Sequence, residues 1–120
     1  MDNMRAEKIE ALETLLEFNG RLLQNMRIIV KELSGKRLDD TDKFLADILK
    51  AMNWEIQVVN ATLDVINEKE TKLDKNDFNE KVIALNDAYT AKDDAQMAEA
   101  FNGLIPVFEN LDVAVKAVVS

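Results

Sequence analysis

Apolar side chains recur at alternating intervals of three and four residues through four successive stretches of this chain. That spacing gathers them on one stripe of an α-helix in each stretch. The first stripe is Ile9, Leu12, Leu16, Leu23, Met26, Val30 and Leu33, interrupted once, by Asn19. The second is Leu45, Ile48 or Leu49, Met52, Ile56, Val59, Leu63 and Ile66. A short third stripe holds Phe78, Val82, Leu85 and Tyr89, and a fourth holds Met97, Phe101, Leu104, Phe108, Leu111, Val115 and Val118. Three Gly, one Pro and two Ser in 120 residues leave too little turn chemistry for a sandwich or barrel of short strands. The chain is long enough, and at 48% hydrophobic content apolar enough, for one domain with one core.

End signals set the expected helix limits at about residues 2–34, 41–70, 77–91 and 94–119. Gly35 suits the left-handed position just past a helix end. Asp39, Asp40 and Thr41 offer N-caps for the second helix, and Lys69-Glu70-Thr71-Lys72 closes it. Asp77 with Glu80, and Asp93 with Gln96, have the spacing of a capping box. Four amphipathic helices on short connections predict a single-domain, all-α, antiparallel up-down four-helix bundle. Pro106 removes one backbone donor inside the fourth helix. Because the stripe passes from Leu104 to Phe108 without changing phase, the expectation is one helix kinked at Pro106, eased there by Gly103.

Missing residue types exclude much chemistry. With no His and no Cys there is no Ser-His or Cys-His nucleophile pair, no thiol redox centre, no zinc finger and no Glu-x-x-His di-iron site. Asp40-Thr41-Asp42 and Asp74-Lys75-Asn76 open like calcium loops but lack the Gly and Glu that such loops need further on. No Gly-rich phosphate loop is present. The expectation is therefore a non-enzyme with no catalytic residues, no metal and no cofactor. Net charge is −8, and residues 76–120 carry eight acids against three bases, so a phosphate backbone would be repelled and no nucleic-acid partner is expected. The longest charge-free run, Ala100 to Phe108, is far shorter than the roughly 20 residues of a membrane span. Charges crowd the first twenty residues, where a secretion signal would be apolar, so the expected compartment is the cytoplasm.

The feature that most invites a functional reading is surplus apolar surface. With Met52 at zero on a helical wheel, Trp54, Val58, Ala61 and Val65 fall at about 180–240°, on the back of the second helix. The first helix carries a second apolar row, Leu15, Phe18, Leu22 and Ile29, which widens its stripe to about half the circumference. At 1.5 Å per residue the first helix would reach about 50 Å and the third only about 23 Å, so the third cannot cover the first. Two readings stand. Either the second helix is central in the bundle, or long surface residues roof over Trp54, and the surplus is core; or Trp54, Val58, Val65, Leu15, Phe18 and Leu22 form a partner-binding surface for a homodimer or a partner protein helix. The alternative function is a small-ligand or regulatory bundle with an internal cavity near Asn19, Met26, Met52 and Met97.

Ala91-Lys92-Asp93, Met97-Ala98-Glu99 and Pro106-Val107-Phe108 resemble the last helical hairpin of small uncharacterised helical-bundle proteins of Firmicutes, in which a Lys-Asp turn precedes a Leu-Ala-Asp helix and a Pro. That resemblance implies a fold and no activity. At fold level the acidic bundle is also similar to bacterial flagellar-export chaperones, which implies a chaperone-like role in holding helical segments.

Overall fold

The computed structural model describes residues 3–119. Among them are four helices: α1 (Asn3–Leu33), α2 (Thr41–Ile66), α3 (Lys75–Thr90) and α4 (Asp94–Val119), with no strand. The expected start of the first helix at Asp2 lies outside the described residues. The helices pack as an elongated bundle, 51 × 24 × 20 Å.

α1 and α4 form the central pair, with α2 against α1 on one side and α3 against α4 on the other. α2 and α4 approach only slightly, and the backbone of α3 approaches neither α1 nor α2. α2 is therefore a flank and not the centre, which corrects the central placing in one of the two readings of its apolar back. The wide stripe of α1 follows from the same arrangement. Leu12, Leu15, Asn19, Leu22, Met26, Ile29 and Leu33 are all buried, in an unbroken 3-4 spacing, because α1 is held between two neighbours. Leu16 and Val30 are only partly buried beside that row. Phe78 and Phe108 meet at 5.6 Å between ring centroids and close the α3–α4 side of the core.

Side chains rather than glycines shape most connections. Thr41 is buried at the start of α2; its hydroxyl accepts from the Leu38 N–H at 2.8 Å and donates to Glu32 Oε1 at 2.7 Å, which joins the end of α1 to the start of α2. α2 ends at Ile66, not near residue 70. Asn67 Oδ1 accepts from the Lys72 and Leu73 N–H groups and Asn67 Nδ2 donates to the Leu73 carbonyl, which folds the following residues into a loop. α3 begins before residue 77, because Asp74 is its N-cap and accepts from the Asn76 and Asp77 N–H groups. It ends in a Schellman motif, with the Lys92 N–H on Tyr89, the Asp93 N–H on Ala88, and Lys92 itself at φ 55°. Asp93 then caps α4 through the Gln96 N–H at 3.0 Å.

α4 runs unbroken through Pro106, which faces solvent so that the Asn102 carbonyl left without its helical donor is open to water. A Cβ placed at Gly103 would meet nothing within 4 Å, so no neighbouring backbone approaches there.

Candidate functional site

Helices α1 and α2 run antiparallel, in a register fixed by a ladder of side chains. Arg5 pairs with Glu68, Lys8 Nζ lies 2.9 Å from Asp64 Oδ2, Phe18 meets Trp54, and Glu32 meets Thr41. Midway along, the Phe18 and Trp54 rings pack edge to face, 5.8 Å between centroids at 75°. Burial does not hide them: Phe18 is 47% exposed and Trp54 39%. Arg21 lies over the Phe18 ring at 5.9 Å. Beside these rings is an open cleft of about 440 Å³ lined by Phe18, Ala51, Trp54 and Glu55, and nearly all of its surface is apolar.

Glu55 distinguishes this cleft from an ordinary gap between helices. The residue is fully buried, and neither carboxyl oxygen has a hydrogen-bond partner. Burial among apolar groups, with a smaller contribution from the Asp112 charge on α4, pushes its pKa up to about 8, so the group is mostly protonated at neutral pH. Asn19 shares this level of the bundle, since Phe18 and Trp54, the chain neighbours of Asn19 and Glu55, are in contact. Its Nδ2 donates to the Phe108 carbonyl at 3.1 Å, one turn before Asp112, while its Oδ1 has no donor. Asn19 Oδ1 and the Glu55 carboxyl are thus both buried and unpartnered at about the same level of the bundle. Buried polar atoms are nearly always paired, so this pairing failure marks the place.

Of the six residues expected to bind a partner, the structure brings Phe18, Trp54 and the half-buried Val58 to this face. Leu15, Leu22 and Val65 are buried within the chain's own core and cannot contribute to a surface. Leu15 and Leu22 belong to the inward row of α1, and Val65 lies between Asp64 and Glu68, the two residues that α1 ties down. Asn19, Met26, Met52 and Met97, expected around an internal cavity, are each buried. Met97 instead borders an open cleft with Arg37, Tyr89 and Lys92 near the start of α4. Arg37 is engaged there by Asp94 at 2.6 and 3.0 Å and by Asp42 at 2.8 Å, which holds the Asp94 carboxyl below the usual carboxylate range.

Glu55 had no place in the sequence reading, although a signal for it was present. Leu45, Ile48, Met52, Glu55, Val59, Thr62 and Ile66 form the true inward row of α2, with strict 3-4 spacing. Choosing the apolar Ile56 and Leu63 over the polar Glu55 and Thr62 displaced the inferred stripe.

No group of His, Cys, Asp and Glu among the described residues could hold a metal ion. No helix among them is long and apolar enough to cross a membrane. No curated protein and no solved structure matches the chain. A family model described as Domain of unknown function (DUF8042) matches residues 10–113, so nearly the whole bundle and all of the Phe18–Trp54–Glu55 cleft lie within it. By that match the chain belongs to the DUF8042 family.

Proposed function

We propose that this chain is a non-enzymatic, cytoplasmic helical-bundle interaction protein whose α1–α2 face docks an amphipathic helix of a partner protein. The observation that supports this reading is the exposed Phe18–Trp54 pair standing over an apolar cleft. A large aromatic anchor set in a pocket is the usual energetic centre of a protein interface. Val58, one turn beyond Trp54, extends the contact along α2. Net charge of −8 favours a helix whose polar face is basic. Holding such a segment would be chaperone-like in the sense that the protein shields an apolar face. The same surface, paired with its copy about a two-fold axis, would give a homodimer.

The test is a titration of the chain with a synthetic helical peptide of leucines on one face and lysines on the other, followed by the fluorescence anisotropy of a dye carried on the peptide. Saturable binding that disappears in Trp54→Glu with Val58→Glu is the expected result. Equal binding by the double variant contradicts the reading.

A further inference from the structure

The cleft is apolar at its walls and acidic behind them. Phe18 and Trp54 line it, and the Arg21 guanidinium at 5.9 Å over the Phe18 ring shows that an aromatic face here already accommodates a cation. Behind them, Glu55 lines the cleft while its carboxyl oxygens meet neither solvent nor any donor. The two groups that could relieve this isolation do not. Asn19 Oδ1 is itself unpartnered, with no hydrogen bond joining it to Glu55, and Asp112 is an acid whose own cation is Lys116, 2.8 Å away. What the carboxylate lacks is a positive donor that can reach it along the apolar wall of the cleft on an apolar stem. An alkylammonium group has that form, and a lysine side chain carries it on four methylenes.

We propose that the Phe18–Trp54–Glu55 cleft binds an alkylammonium group, supplied by a lysine side chain of the docked helix, with the rings holding its stem and Glu55 its charge. This inference rests on the docking reading for the source of the lysine, but not for the chemistry of the cleft. The proton balance is fixed: Glu55 enters as the neutral acid, pairs as the carboxylate, and its proton leaves to solvent, while the ammonium keeps all of its own. Other charges facing the pair are Asp112 with Lys116 on α4 and Arg21 on α1. Of these, only Asp112 favours the incoming cation.

The chain would be titrated with n-butylammonium, the lysine side chain in isolation, and with 1-butanol as its neutral counterpart, each followed by Trp54 emission. The amine is expected to bind saturably and about tenfold more tightly than the alcohol, as a desolvated cation–π and charge-assisted contact allows. Calorimetry in two buffers of different ionisation heat should show about one proton released per amine bound near neutral pH. Glu55→Gln keeps the volume and the fold, verified by its cooperative unfolding, and should erase the preference. No saturable response to the amine, an alcohol that binds equally well, or a preference that survives Glu55→Gln would overturn the proposal. Peptide docking without amine preference removes this inference and leaves the docking reading standing. Amine preference without peptide docking does the reverse.

Discussion

Phe18 of α1 and Trp54 of α2 meet edge to face at 5.8 Å, and each stays more than a third exposed. Contacts between helices usually bury their aromatics, and this pair instead stands at the rim of a cleft. The coupling between the two rings should be modest, about 0.5–1 kcal/mol, because solvent reaches both. A double-mutant cycle of Phe18→Ala and Trp54→Ala in urea measures it directly. Coupling of several kcal/mol would mean that the pair is core and not surface.

Glu55 should make stability depend on pH in the direction opposite to the paired acids. Its folded pKa is near 8, above its unfolded value of 4.5. Below pH 4.5 both states hold the proton and its contribution is complete. Between 4.5 and 8 only the folded state holds it, so stability falls by up to about 1.4 kcal/mol per pH unit, and above 8 the loss is complete. Asp64, Glu68 and Asp94, whose pKa values are lowered by Lys8, Arg5 and Arg37, act in the other sense and below this window. Urea midpoints of wild type and Glu55→Gln should therefore diverge from pH 5 to about 8, with the variant flatter, and keep a constant gap from there to pH 9. Parallel curves would show that Glu55 is solvated.

Thr41→Val removes the hydroxyl that accepts from Leu38 and donates to Glu32 while keeping the side chain's shape. It leaves a buried carboxylate oxygen and a backbone donor unsatisfied, at a cost of about 1–3 kcal/mol. Denaturant unfolding at neutral pH checks the value.

Opposite substitutions should stabilise two backbone positions. Lys92 holds φ 55° without being glycine, so Lys92→Gly should stabilise the α3–α4 turn by about 1 kcal/mol. Gly20 lies in mid-α1 with open space where a Cβ would go, so Gly20→Ala should stabilise by a similar amount, about 1 kcal/mol. Thermal melts of the two variants provide the comparison.

The four helices could be read from sequence because each buries a stripe whose period is local. Which stripe lay at the centre could not, since Leu15, Leu22 and Leu12 qualify equally until α4 is known to cover the second side of α1. Asn19 was visible as the one polar residue in an apolar row. Glu55 was not, because a carboxyl flanked by Met52, Ile56 and Val59 looks like the solvated edge of the helix until α4 is placed against it. Helix limits shifted where a side chain outside the stripe took charge of the backbone, as Asn67 and Asp74 do.

The claim that matters most is that the Phe18–Trp54 face binds helices, and sedimentation velocity of the wild type and of Trp54→Glu with Val58→Glu, each with and without the leucine–lysine peptide, tests it most directly. The wild type should gain mass, by pairing with the peptide or with its own copy, while the double variant stays at the 13.6 kDa of one chain. A wild type that remains at that mass and ignores the peptide, or a double variant that associates equally well, would contradict it.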